Sequence, residues 1–332
     1  MKHTIISWDC SFRNFFHLIP SLAKQEYNKD EFEVIYVEQR TREQSNKFNH
    51  QFGLESLWDI HNKYKDIINI KVIYLNEDMK ACYHLSKCNN VGIANAKGQI
   101  VSIMDGDLLV QSDFLKKLDK AHDKKSSVFN LVRYSSQYPI GVKYYKDWMK
   151  SEVGFDLCLK ACSAKVTPVP DNFICGNKGP LISAKKEAFR AIDGYDESII
   201  FSTSSSVAGA DVCSRLEIFL NTKSTAVPNA FCVHPWHPHG YASKYRKSNR
   251  DVKFYLDLQR LLIQWSNATK SYSYVGEREK MAQVFYLRNQ DLCEDIIKAE
   301  VLEMESGPER FEKEKVLREK VKTLYKKMIN SL

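Results

Sequence analysis

The 332-residue sequence lacks several common signatures. It holds nine cysteines but no C-x-x-C pair. That absence, with the odd count, argues against a zinc site or a disulfide framework and for a reducing cytosol. No G-x-G-x-x-G follows the first apolar run, which disfavours the usual dinucleotide fold, and no G-x-x-x-x-G-K-[ST] occurs, which excludes a P-loop. No apolar run approaches the length of a membrane-spanning helix, and residues 1–9 are too short and polar for a signal peptide. Internal repeats and low-complexity tracts are also missing. The net charge of +8 is too diffuse to argue for nucleic acid, although it suits an anionic ligand or membrane surface. What remains is an ordinary globular composition, 43% hydrophobic and 27% charged, long enough for a large core and two sub-structures.

Apolar runs at residues 4–8, 33–37, 70–75 and 100–104 read as short buried strands. Between them, residues 13–25 and 84–97 show helical spacing, and 40–66 read as a loop plus a helix. This succession predicts an α/β fold with a doubly wound sheet and helices on both faces. Gly98 reads as a helix C-terminal residue and Ser112 as the N-cap of the helix through Leu118 to His122. Further on, 128–134 reads as a strand, 173–182 as a glycine-bearing loop into a strand, and 184–189 as a helix. Residues 192–197 read as a turn and 212–220 as a helix.

Chemistry-bearing residues concentrate at the ends of these runs. The fourth strand stops at Asp105-Gly106-Asp107. In an extended chain, residues i and i+2 point the same way, so both carboxylates are expected to converge at the carboxyl end of a buried strand. Paired carboxylates repel unless a hard cation such as Mg²⁺ or Mn²⁺ neutralises them, and that cation could hold a diphosphate. The competing reading is a solvated Asp-Gly turn. Asp9 and Glu38 end the first two strands. His234, His237 and His239 crowd a proline-stiffened segment, and imidazole is a common transition-metal ligand; which of the three binds stays open. Asp211 starts a helix carrying Arg215, where it suits either an N-cap or a well-held base. Residues 202–206 are small and suit a lid.

In order, these segments resemble the GT-A glycosyltransferases, specifically the inverting family 2 type. Ser7 with Asp9 resembles the first-strand motif, and Glu38 stands where that family has a nucleoside-contacting Asp. Asn90-Val91-Gly92 with Ala96-Lys97-Gly98 resembles the segment before the metal strand, with Asn89 in place of a frequent Arg. Asp105-Gly106-Asp107 is similar to the DxD motif. Gly194-Tyr195-Asp196-Glu197 looks like the end of the acceptor segment, and Ala210-Asp211 with Arg215 looks like Glu-Asp…Arg without its Glu. The resemblance implies a GT-A type mixed sheet with a C-terminal helical extension. It implies nucleotide-sugar binding by Ser7, Asp9, Glu38, Asn90, Asp105, Gly106 and Asp107. Mn²⁺ or Mg²⁺ would sit on Asp107, Asp105 and one of His234, His237 and His239. Asp211 would be the base, and Gly176, Asn177, Arg215 and Trp236 would bind the acceptor.

The expected organisation is a nucleotide-sugar half at 1–110, an acceptor half of the same domain at 111–243, and the helical extension at 244–332. The expected activity is inverting transfer of a hexosyl or N-acetylhexosaminyl group from a nucleotide-diphosphate sugar, first of all a UDP-sugar. The acceptor would be a hydroxyl of a glycan or lipid-linked glycan, in surface polysaccharide synthesis. The location would be the cytoplasm. The basic tail from Glu312 reads most simply as a solvated helix packed on the body, and more sharply as a peripheral contact with the inner membrane face. A sugar-phosphate nucleotidyltransferase competes, but its glycine-rich first loop is missing here. A scaffold that binds nucleotide or glycan without catalysis is the third reading.

Overall fold

The computed structural model describes residues 1–9, 16–51, 53–77, 84–135, 180–198, 201, 207–235 and 253–281. Its frame is a mixed sheet of eight strands: β1 (His3–Asp9), β2 (Phe32–Arg40), β3 (Asn69–Glu77), β4 (Ile100–Met104), β5 (Leu109–Val110), β6 (Phe129–Ser135), β7 (Leu181–Lys185) and β8 (Thr225–His234). Their spatial order is β3-β2-β1-β4-β7-β6-β8-β5. The first four are parallel, while β7 runs antiparallel to β4. The helices are α1 (Leu18–Ala23), α2 (Arg42–His50), α3 (Leu57–Tyr64), α4 (Leu85–Asn95), α5 (Phe114–Lys124), α6 (Lys186–Ala191), α7 (Ala208–Leu220) and α8 (Lys253–Thr269).

Strand alternation divides the core into two layers. Ile5, Val34, Tyr36 and Met104 face Leu18, Ile19, Leu57, Ile60 and Phe114 on one side. Ile6, Trp8, Ile35, Val37, Val101 and Ile103 face Leu85, Ile93, Val212 and Leu216 on the other. β2 is buried along its whole length, as a parallel strand covered on both faces must be. Leu262 of α8 joins the second layer, and Ile263 packs with Val207 and Ala210 of α7. The described part of the C-terminal extension is therefore built into the same core.

Several local expectations change. Two helices, α2 and α3, fill the region expected to hold one. Each starts with a capping box, from Thr41 and Ser56, which supplies partners for the first free N–H groups. α4 ends at Asn95, before Gly98. Gly98 instead lies against the first strand, where a Cβ would stand 2.4 Å from the His3 carbonyl carbon. Ser112 does not cap α5; Asp113 holds that position without a side-chain bond, and the Ser112 hydroxyl donates to Glu26. Asp211 lies within the first turn of α7, behind Val207 at the N-cap. Strands β5 and β8 were not expected. Pro228 and Asn229 interrupt the apolar pattern of β8, and Asn229 takes a positive φ of 57°.

The turn after β4 depends on Gly106. A Cβ at that position would lie 2.0 Å from the Tyr36 hydroxyl and 3.1 Å from the Ser7 hydroxyl. Its carbonyl accepts from the Leu18 N–H at 3.1 Å, at the start of α1. Tyr36 cannot easily give way, because it is fully buried and edge-on to Phe16. Gly106→Ala is expected to destabilise the fold by about 1–3 kcal/mol through overpacking. Adding Tyr36→Phe should return part of that loss. Urea unfolding of the single and double variants measures the difference, and an Ala variant as stable as wild type would contradict this packing.

A second expectation concerns acid. His122 is buried, pairs with the Ser183 hydroxyl at 2.9 Å and lies edge-on to Phe129. Burial first, then the neighbouring His3, push its pKa down to about 4. In the unfolded chain it titrates near 6.5. Below that pH the unfolded state takes up the proton first, so stability holds above about 6.5 and falls toward pH 4, by roughly 3 kcal/mol at most. Denaturation at pH 7, 5.5 and 4.5 should show this slope in wild type and a flatter one in His122→Gln. Equal slopes would remove His122 as its source.

Candidate functional site

The carboxyl ends of β1, β2 and β4 lie together because these strands are parallel neighbours, and this edge is where open α/β sheets bind ligands. β4 ends at Met104, and the chain turns at Gly106 and Asp107. The extended-chain argument for placing Asp105 beside Asp107 therefore stops at Gly106; the turn orients them instead. Asp105 is half-buried, and Asp107 is 5% exposed.

β8 supplies the partner. Leu109 pairs with Val233, and Val110 with Cys232. This ladder begins two residues after Asp107 and stops one residue before His234. It brings His234 Nε2 to 3.6 Å from Asp107 Oδ2. Burial pushes the Cys232 thiol up, opposed by Arg133 and reinforced by the charges of Asp105 and Asp107. Both carboxylates thus act on the end of β8. Oxygen and imidazole ligands together suit Mn²⁺ and are tolerated by Mg²⁺. Among the described residues no group of three or more His, Cys, Asp or Glu side chains gathers around one point. A cation on Asp107 and His234 would need oxygens from a ligand or from water to fill its shell.

The other expected nucleotide residues take different positions. Ser7 is fully buried, and its hydroxyl lies beneath Gly106 with no hydrogen-bond partner among the described residues. Asp9 ends β1 opposite Glu38 in register; its side chain lies outside the described set. Glu38 is fully buried. Its Oε1 accepts the Arg40 N–H at 2.8 Å and its Oε2 accepts the Ser45 hydroxyl at 3.0 Å. This carboxylate fastens the end of β2 to α2 and presents no surface to a nucleoside. Asn90 is committed to the turn before Ser198. Its Nδ2 donates to the Tyr195 carbonyl and to Glu197 Oε1, and its Oδ1 accepts the Tyr195 N–H at 2.7 Å.

Asp211 departs furthest from its expected role. It is 1% exposed. Arg215 Nε donates to Oδ2 at 2.9 Å, and an arginine from beyond α8, Arg278, donates to Oδ1 at 2.6 Å. Arg278 also reaches Asp196 Oδ2 at 3.0 Å and the Ser266 hydroxyl. Arg215 is fully buried and donates to the carbonyls of Ile192 and Gly194 at 2.7 and 2.8 Å. Asp211 therefore has no surface to offer a substrate hydroxyl, and Arg215 has none to offer an acceptor. Both belong to a sealed cluster of two carboxylates and two guanidiniums. Sequence reasoning missed Arg278, which sits in the Glu-Arg-Glu-Lys run at 277–280 that has the composition of a solvated face. Tyr195 shares a buried apolar layer with Trp8 of β1 and Ile103 of β4. Burial, then Cys213 and Asp105, push its phenol well above the ordinary value, so it stays protonated near Asp105. Gly176, Asn177, Trp236, His237, His239, the 202–206 stretch, the tail from Glu312 and the expected helix beyond residue 281 lie outside the described residues.

No protein-family model matches the sequence, and no curated protein matches it. Solved structures do. The chain superposes on S. aureus TarS 1–349 with a TM-score of 0.53 and 18% identity, covering 81% of this chain and 68% of that one. For S. aureus TarS 1–349 in complex with UDP-GlcNAc the TM-score is 0.51 at 16% identity, covering 85% and 78%. The mixed eight-stranded sheet with its flanking helices is the fold of the GT-A glycosyltransferases.

Proposed function

We propose that this chain is a glycosyltransferase that moves a sugar from a nucleotide-diphosphate donor to a hydroxyl acceptor. The observation that carries the reading is the approach of Asp107 to His234 at the carboxyl end of β4 within a GT-A fold. Asp107 and His234 would hold Mn²⁺ or Mg²⁺, with Asp105 at the more open side. Such a cation supplies Lewis-acid neutralisation of the charge that develops on the leaving nucleoside diphosphate. The chain's own part is positional. Gly106 brings the backbone close to β1 and β2 where a side chain would not fit. The ladder between β5 and β8 aims His234, and the hydrophobic layers keep Asp107 dry enough for its charge to count.

UDP-sugars are the first donors to consider, since one of the similar structures holds UDP-GlcNAc, and a hexosyl or N-acetylhexosaminyl group is the first sugar class. Inversion at the anomeric carbon, a glycan or lipid-linked glycan acceptor and a role in surface polysaccharide belong to the same proposal. So does a cytoplasmic protein touching the inner membrane face through its basic tail. Among the described residues no helix is long and apolar enough to cross a membrane. A second reading, nucleotide-sugar binding without transfer, is favoured by one observation: Asp211 is sealed between two arginines.

Calorimetric titration with UDP separates these ideas. Wild type should bind UDP far more tightly with Mn²⁺ than without. Asp107→Asn and His234→Ala should each weaken that binding tenfold or more, which is about 1.4 kcal/mol or above. Binding that ignores both Mn²⁺ and the substitutions would overturn the site, while a preference for GDP would change the donor class. Release of UDP from a UDP-sugar marks transfer; tight binding with no release marks the second reading.

A further inference from the structure

The helical turn that begins at Glu277 carries Arg278, which is fully buried among residues it does not neighbour in sequence. Its guanidinium meets the 196–211 stretch at three points. It donates to Asp196 at 3.0 Å and to Asp211 at 2.6 Å, and it lies 5.7 Å over the Phe201 ring. Ser266 of α8 accepts a further bond from it. Asp196 Oδ1 in turn accepts the Ser198 N–H at 2.8 Å, and Asp211 lies in the first turn of α7.

The same elements pack beneath the strands that end at the candidate donor site: Tyr195, Phe201 and Ala208 share one buried apolar layer with Trp8 of β1 and Ile103 of β4. Asn90 of α4 grips Tyr195 and Glu197, and Arg215 grips the Gly194 carbonyl. The cluster balances two carboxylates with two guanidiniums away from water. Loss of one member leaves an uncompensated buried charge and forces its neighbours to move. A planar fork that bonds two carboxylates at once is a geometry that lysine does not reproduce.

We propose that Arg278 is a positioning residue for the transfer step, holding Asp196, Phe201 and the first turn of α7 in place against the strands that carry Asp105 and Asp107. The proposal rests on the glycosyltransferase reading, and it makes the segment after α8 part of the transferring unit. Rate depends steeply on such placement, since an error of about 1 Å can cost on the order of a hundredfold. Binding of the nucleotide should depend on it much less, because Asp105, Asp107 and His234 lie on other elements.

The test uses the full chain with Mn²⁺. UDP affinity is measured by calorimetry, and release of the nucleoside diphosphate, with water taking the sugar, is followed as UDP from UDP-GlcNAc and UDP-glucose and as GDP from GDP-mannose. Arg278→Lys keeps the charge and loses the fork; Ser266→Ala removes one bond to the guanidinium and is the milder change. The expected result is a graded fall in kcat, a fewfold for Ser266→Ala and tenfold or more for Arg278→Lys. KM and UDP affinity should stay within about twofold of wild type. A kcat for folded Arg278→Lys within twofold of wild type would overturn the proposal. So would a UDP affinity that falls in step with kcat, which would mark general loss of structure. If Arg278→Lys does not fold, Ser266→Ala decides by the same split. Wild type that turns over none of the three sugar nucleotides would refute the underlying reading instead.

Discussion

Asp196, Asp211, Arg215 and Arg278 form an electrically neutral quartet with at most 1% exposure each. Sequestered charges cost more in lost hydration than a single ion pair returns unless their hydrogen-bonding capacity is met. Here it is met by carboxylates, by backbone carbonyls of Ile192 and Gly194, and by the Ser266 hydroxyl. The quartet ties the turn at Asp196, the start of α7, the C-terminal part of α8 and the helical turn at Glu277 into one body. Asn90 extends that body to α4. These bonds join elements that are far apart in the sequence.

The acids at the strand ends show how topology and environment divide similar residues. Glu38 and Asp107 both follow apolar runs at the same edge of the sheet. Glu38 is turned inward, where Arg40 and Ser45 satisfy it. Asp107 follows a glycine that swings the chain out of the strand, and it meets an imidazole. The difference lies in what comes next in the chain. After Glu38 the strand runs on to Arg40 and into a capped helix; after Asp107 a two-residue strand pairs with β8.

Much of this was legible in the sequence where periodicity is a local property. The run at 100–104 is β4 to the residue, and the runs within β1, β2 and β3 were found with their ends a little short. The Asp-Gly-Asp turn and the histidine at 234 were also visible, because rare residue types stand close together there. Pairing was not legible. β5 is two residues long and β8 is broken by Pro228 and Asn229, so neither shows a period. The opposite roles of Glu38 and Asp107 depend on partners in other elements. Asp211 read as an N-cap or a well-held base because a sequence shows its helix and not the arginine 67 positions later. Arg278 was missed because its neighbours Glu277, Glu279 and Lys280 have the composition of a solvated face.

The short ladder between β5 and β8 has a consequence for how such a chain can vary. Asp107 stands in the turn two residues before Leu109, and His234 stands one residue after Val233, so their meeting depends on the turn at Gly106 and on the count of residues between each of them and this pairing. A single-residue insertion between 107 and 109, or between 233 and 234, would carry one partner about 3.3 Å further along the chain. Divergence at this edge is therefore constrained by residue count as well as by residue type. A relative that keeps both side chains but shifts the count by one would carry the motif without the centre.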